Sequence, residues 1–219
     1  MFSIGDLYKE RARQYGYLYN HYAVQAANFA PNGWRVPTMA DAEELADMIS
    51  TAAELKDQGD WNDDPGIDRG TDIHGFRALP CGFRNSSGGF AGENYNFRFW
   101  TSTIWQPWSG VSAHYAYLSG GLNSFSVGSL LSVKAGCSIR FLKENSTMPA
   151  GNQVRDYEGN VYPVARIDDG VKVRIWTALN WRSIRLMDGV FLQHIPSASA
   201  WESANTAAYC AYDNLEQNI

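Results

Sequence analysis

The stretch that decides the fold reads Phe99-Trp100-Thr101-Ser102-Thr103-Ile104-Trp105-Gln106-Pro107-Trp108-Ser109-Gly110-Val111-Ser112-Ala113-His114-Tyr115-Ala116-Tyr117-Leu118-Ser119-Gly120-Gly121-Leu122-Asn123-Ser124-Phe125-Ser126-Val127-Gly128-Ser129-Leu130-Leu131-Ser132-Val133. It holds no Asp, Glu, Lys or Arg, in a chain that is 19% charged. Two physical readings fit. A buried sheet excludes charge and favours aromatic residues. A recognition surface also mixes Trp and Tyr, which give contact area at low entropic cost, with Ser, Gly and Asn, which give adaptable hydrogen bonds. The middle alternates, with Ala116 and Leu118 on one side of a strand and Tyr115, Tyr117 and Ser119 on the other. That period predicts the aromatic set on the face away from the core. Gly120-Gly121 is read as a hairpin turn into a second strand over Leu122 to Val127.

Outward from this stretch, Ser138 to Leu142 reads as a closing strand. On the other side, Gly59 to Arg98 is rich in Gly, Asp, Asn and Pro and reads as a long ordered loop region, neither helix nor regular sheet. Thr38 to about Thr51 carries the clearest helix signal. Thr38 is a good N-cap, Asp41, Glu43 and Glu44 favour the positive end of the dipole, and Ala42, Leu45, Ile49 and Ala52 make one apolar face. A short amphipathic helix is predicted over Ser3 to Arg13. The aromatic run Tyr15 to Val24 is ambiguous between strand and helix, and Pro31-Asn32-Gly33-Trp34 is a turn. Asn145 to Asn152 reads as a linker. Val161 to Ile167 and Val171 to Trp176 alternate about the turn Asp168-Asp169-Gly170 and predict a hairpin, and Ala207 to Ala211 a short strand.

The totals bound the function classes. A chain of 219 residues with 45% hydrophobic content can bury a sizeable core and is not disordered. Net charge is −5 and no basic run occurs, which argues against a phosphate-tracking nucleic-acid surface. No apolar run is long enough for a membrane helix, so no membrane insertion is expected. Met1 to Asp6 lacks a secretory n-region and h-region. The expected location is a virion or host-cell exterior reached without a signal peptide, or otherwise the cytoplasm. Cys81, Cys137 and Cys210 are odd in number and widely spaced, and read as three small buried hydrophobes.

Five short motifs then occur in a familiar order. They are Tyr15-Gly16-x-Leu18-Tyr19-Asn20-x-Tyr22-Ala23-Val24, Gly33-Trp34-Arg35-Val36-Pro37-Thr38, Gly75-Phe76-x-Ala78-Leu79-Pro80, Phe99-Trp100-Thr101-Ser102-Thr103 and Ser138-Ile139-Arg140. In this order they resemble the Fibrobacter succinogenes major paralogous domain, which is similar to the C-type lectin-like fold of the formylglycine-generating-enzyme branch. The pieces that open such a domain resemble Asp156-Tyr157-x-Gly159-Asn160-Val161-Tyr162, Trp176-Thr177-Ala178-x-Asn180 and Ala208-Tyr209-Cys210-x-Tyr212-Asp213-Asn214, which here come last. The resemblance therefore implies an α+β, C-type lectin-like fold, circularly permuted, with short antiparallel strands, two or so helices and long ordered loops. Residues 1–219 would form one domain, with 1–143 the later part of the fold, 144–155 the linker and 156–219 the displaced opening segment. Termini that lie close together at a surface make such a rearrangement tolerable. The competing readings are half of a second domain and a swap with a neighbouring chain.

The resemblance also implies where ligands bind. Members of this fold diversified by retroelements vary on the surface equivalent to Thr103–Leu131. Carried over by position, the ligand-binding candidates are Ile104, Trp105, Gln106, Trp108, Ser109, Ser112, Tyr115, Tyr117, Ser119, Leu122, Asn123, Ser124 and Ser126, with Trp100, Thr101, Ser102, Ala113, Ala116, Leu118, Ile139 and Arg140 as scaffold. An exposed aromatic patch usually marks a binding site. The expected partner is a protein or glycan on a cell surface, with the oligomeric state left open. No catalytic residue and no cofactor are expected. Trp61-Asn62-Asp63 resembles the Trp-Asn-Asp signature of calcium-dependent lectins but sits in the wrong place. Asp63, Asp64 and Asp68, with Asp60 and Asp72 nearby, could supply oxygen ligands to Ca²⁺, or serve as a solvated acidic loop. His21, His74, His114 and His194 are scattered, and no Ser-His-Asp order, HExxH or phosphate loop is present. The expectation is a ligand- or receptor-binding protein of a phage or prophage, with a bacterial surface adhesin or carbohydrate-binding module and a formylglycine-generating-like oxidase using Cys137 as the alternatives.

Overall fold

The computed structural model describes residues 15–106, 108 and 110–214. The helix predicted over Ser3 to Arg13 and the candidate Ser109 lie outside the described residues. In chain order the elements are β1 (Leu18–Tyr19), α1 (His21–Val24), β2 (Trp34–Arg35), α2 (Met39–Asp47), β3 (Cys81–Arg84), β4 (Phe90–Glu93), β5 (Asn96–Trp105), β6 (Ser112–Ser119) and β7 (Ser126–Ser132). They continue with β8 (Leu142–Lys143), β9 (Gln153–Arg155), β10 (Val161–Asp168), β11 (Val173–Thr177), β12 (Gln193–His194), α3 (Ala198–Ser203) and β13 (Ala208–Cys210). The domain is mostly β, of the mixed α+β class. Its strands form three sheets with the orders β4-β3-β5-β6-β7, β2-β8-β11-β10-β9 and β1-β13-β12.

The β5–β6–β7 sheet stands between two cores. Phe97, Phe99, Ala116 and Leu118 point toward Ala42 and Leu45 of α2 and Trp176 of β11. Trp100, Ala113 and Tyr115 point the other way, toward Tyr19, Phe141, Tyr162 and Trp181. Both faces are therefore covered over most of the sheet, which explains the absence of charge: an unpaired charge there would have to be desolvated.

Strong local signals formed as the sequence predicts. Thr38 caps α2, its Oγ accepting from the Asp41 amide at 3.2 Å while the Asp41 carboxylate accepts from the Thr38 amide at 2.6 Å. The helix stops at Asp47, short of the expected Thr51, because Thr51 caps a separate 3₁₀ turn over Ala52–Glu54. The β10–β11 hairpin forms with Val164 opposite Thr177 and Asp168 opposite Val173.

Three expectations need correction. The region from Gly59 to Arg98 is not free of regular sheet, since β3, β4 and the start of β5 lie within it. Gly82 and Gly92 interrupt these strands with φ of +68° and +79°, which hides their period. A Cβ at Gly82 would stand 2.6 Å from the Ala91 carbonyl oxygen, so the close approach of β4 requires glycine there. The span 144–155 is not linker throughout, because β9 pairs with β10 from Gln153↔Pro163 to Arg155↔Val161. The strands also differ from those predicted on either side of β7: it begins at Ser126 and not at Leu122, and the closing strand is reduced to Leu142–Lys143, with Gly136, Cys137 and Ser138 making single bridges.

The C-terminal segment completes sheets begun by the N-terminal part. Leu142 of β8 pairs with Trp176 of β11, and Leu18 of β1 with Cys210 of β13. Arg140 fastens the join. It is fully buried, and its guanidinium donates to the carbonyls of Phe76, Thr177 and Arg77 at 2.7 to 2.8 Å and to Asn180 Oδ1 at 2.7 Å. Burial pushes its pKa down to about 9, still protonated at neutral pH.

Candidate functional site

The sequence candidates do not form one surface. They separate into two ends of the β6 strand and a row between them. At one end is the tip of the β5–β6 hairpin. A register irregularity between Trp100 and Ile104 breaks the alternation of β5, after which the strand leaves the core. Ile104 is 41% exposed, Trp105 49% and Val111 42%, while Trp108 is fully exposed and Gln106 is exposed beside them. Leu130 of β7, 39% exposed, lies across the sheet from His114, and Ser112 is paired with both Trp105 and Ser132. Register thus brings Ile104, Trp105, Val111 and Leu130 to the same end of one sheet. Gly110, at φ +146°, supplies a backbone conformation that L-residues rarely adopt.

At the other end lie Leu122, Asn123 and Ser124, all exposed. The eight residues of β6 place them about 25 Å from the hairpin tip. Asn123 is held there structurally: its side-chain oxygen accepts from the Asp68 amide at 2.8 Å and its carbonyl from the Ala52 amide at 2.9 Å.

Between the ends, two candidates are corrected. Tyr115 and Ser119 are buried, not ligand-facing. Tyr115 packs at right angles to Trp100, with ring centroids 6.4 Å apart, inside the second core. Ser119 turns its hydroxyl back to accept from the Gly121 amide at 3.2 Å, closing the β6–β7 turn. The alternation assigned the correct pairs of residues to each face, but the face holding Tyr115 is itself covered. Tyr117 and Ser126, opposite one another, remain half-buried.

The acidic candidates do not converge. Asp63 accepts from Lys56 Nζ at 2.7 Å, Asp64 from the Tyr95 hydroxyl at 2.8 Å and Asp68 from the Thr51 hydroxyl at 3.4 Å. Among the described residues no three His, Cys, Asp or Glu side chains come together as a metal site. Cys81, Cys137 and Cys210 are all buried. Burial pushes the Cys81 and Cys137 thiols up, away from the reactive thiolate. His21 is buried, its Nε2 2.9 Å from the Thr101 carbonyl oxygen, and burial lowers its pKa. His114 Nδ1 lies 3.1 Å from the Gly128 carbonyl oxygen.

One residue escaped the sequence reading. Arg98 stands one position before the charge-free stretch, in register with Tyr117. Its place on β5, two residues before Trp100, was the available signal.

Three sheets, few helices and an apolar hairpin tip define a mostly β domain of the mixed α+β class. The chain belongs to the Fibrobacter succinogenes major domain family, whose sequence model matches residues 4–143. That match ends at the last residue of β8, so β9 to β13 lie beyond it. No curated protein and no solved structure matches the chain. Among the described residues no helix is long and apolar enough to cross a membrane.

Proposed function

We propose that this chain is a non-enzymatic ligand- or receptor-binding protein whose recognition surface is the tip of the β5–β6 hairpin with the adjoining part of β7. The observation that carries the reading is the exposure of Ile104, Trp105, Trp108, Val111 and Leu130 at one end of one sheet. Apolar side chains gathered in this way have a large free energy to gain from being covered, and Trp residues are common binding anchors. No residue between Phe99 and Val133 is charged, which suits a surface that must be desolvated on binding. The ligand is a protein or glycan displayed on a cell surface.

The same reading extends to the fold. We take the chain as a circularly permuted C-type lectin-like domain, a view supported by the pairing of β8 with β11 and of β1 with β13. It extends also to biology: a phage or prophage receptor-binding protein diversified by a retroelement at its hairpin codons, working outside the cell.

Two measurements test this. The Trp105→Ala, Trp108→Ala double variant is expected to lose binding to host cells at least tenfold while keeping its melting temperature. Unchanged binding would remove the hairpin tip from recognition. Gene sequences from sibling isolates should differ mainly within codons 104–112 and 129–131, and even variation along the gene would exclude diversification.

A further inference from the structure

Arg98 is held in a manner unlike the fully buried cations Arg84, Arg140 and Lys56. Its guanidinium carbon lies 3.6 Å from the centroid of the Phe83 ring, 5.1 Å from that of Tyr115 and 5.9 Å from that of Tyr117. Its Nε is buried with no hydrogen-bond partner. Among the described residues no carboxylate, carbonyl or hydroxyl accepts from its guanidinium. By contrast, Arg84 donates to the carbonyls of Gly88, Ile195 and Pro196, Arg140 to three carbonyls and Asn180, and Lys56 to Asp63. Enclosed polar groups are nearly always bonded, so an exception asks for a reason.

The surroundings supply one. Aromatic rings stabilise a guanidinium through its face and leave its planar edge for an acceptor. Arg98 is half-buried, so it is fixed in place and still reachable. The row across the sheet runs Arg98, Tyr117, Ser126, and no acid occurs between Phe99 and Val133 to repel an anion. A planar fork takes a carboxylate with two parallel hydrogen bonds. The half-buried Tyr117 ring beside it decides which bearer of a carboxylate fits. A hexuronate carries its carboxylate directly on a sugar ring, whose C–H face can lie on an aromatic ring while the fork is engaged. An acidic peptide side chain carries its carboxylate on a flexible stem and would leave Tyr117 uncovered.

We infer that Arg98, Tyr117 and Phe83 form a subsite for an acidic saccharide unit of the hexuronate class, with the Ser126 hydroxyl as a neutral neighbour. This rests on the reading of the chain as a ligand-binding protein and names the chemistry of one part of the ligand.

The test uses methyl β-glucuronide and methyl β-glucoside, which differ only in the carboxylate, titrated into the full chain and followed by NMR shifts. The glucuronide should bind in a saturable manner and at least tenfold more tightly than the glucoside, weakening as salt rises. Arg98→Gln should abolish the preference, Tyr117→Ala should weaken the glucuronide several-fold, and Trp108→Ala should leave it unchanged. Equal binding of the two sugars by the unaltered chain, or binding of neither, overturns the subsite without reference to any variant. Binding of a glutamate-rich peptide through Arg98, with no response to the glucuronide, overturns it in favour of a protein ligand. Loss of cell binding in the hairpin-tip variant with no glucuronide response would leave the recognition surface standing and remove the subsite alone. Glucuronide binding with no effect of the tip variant would do the reverse.

Discussion

Arg140 Nε donates to Asn180 Oδ1 at 2.7 Å, and Asn180 Nδ2 donates in turn to the Tyr15 carbonyl at 2.7 Å. A residue from the closing region of the family-matched part is thus bonded through a C-terminal asparagine to the first described residue. All three are buried, so each bond replaces water that cannot reach the site.

Replacing Arg140 with Met should therefore be severe. It removes the donors serving Phe76, Arg77 and Thr177 carbonyls together with Asn180. Each buried acceptor that loses its donor costs about 1–3 kcal/mol, so four together make Arg140→Met severe, while Asn180→Ala should cost about 1–3 kcal/mol by removing the bonds to Arg140 Nε and to the Tyr15 carbonyl. Urea unfolding monitored by Trp fluorescence measures both.

Cutting the chain within residues 145–152 should leave one particle. β8 pairs with β11 and β1 with β13 across the cut, and the Arg140 bonds cross it too. Limited proteolysis followed by size-exclusion chromatography should give co-eluting fragments. A stable, cooperatively folded 1–143 fragment would contradict this arrangement.

Stability should fall at acid pH through the start of α2. Burial raises the Asp41 carboxyl, but hydrogen bonds from Arg35 and Thr38 outweigh it and hold the group at about 2. Unfolded aspartate titrates near 3.9. The folded carboxylate therefore contributes its full share above about pH 4 and loses it as pH falls toward 2. Melting temperature against pH should show this decline, and Asp41→Asn should be less stable at neutral pH and flatter below pH 4.

The hairpin tip and the sheet should respond oppositely to truncation. Trp108→Ala, at a fully exposed position, should change stability by less than about 0.5 kcal/mol. Tyr115→Ala, in the second core beside Trp100, should cost about 3–5 kcal/mol. Chemical denaturation of the two variants separates the surface from the scaffold.

How much of this was legible in the residues depends on the length of each signal. The α2 cap and the β10–β11 hairpin were, because Thr38 with Asp41 and the turn Asp168-Asp169-Gly170 act locally. β3 and β4 were not, since each is four residues long and broken by a glycine in the left-handed region. Alternation separated Ala116 and Leu118 from Tyr115 and Tyr117, but periodicity reports that two faces exist and not what covers them. Tyr115 belongs to a core that also takes in Tyr19, Trp181 and Tyr209, a long-range fact that no window of sequence contains. The hairpin tip was legible as a composition, while the 25 Å gap to Leu122 depends on where the strands end.

Leu18 pairs with Cys210, and that pairing sets a clock on synthesis. At translation rates of about 5–20 residues per second, the partner of β1 is made roughly 10–40 s after β1 itself. Through that interval Tyr19 and its aromatic neighbours lack the segment that shields them. The sheet that β1 and β13 share therefore closes only once β13 has been made. Expression should accordingly be more sensitive to the loss of β13 than the three residues of that strand would suggest.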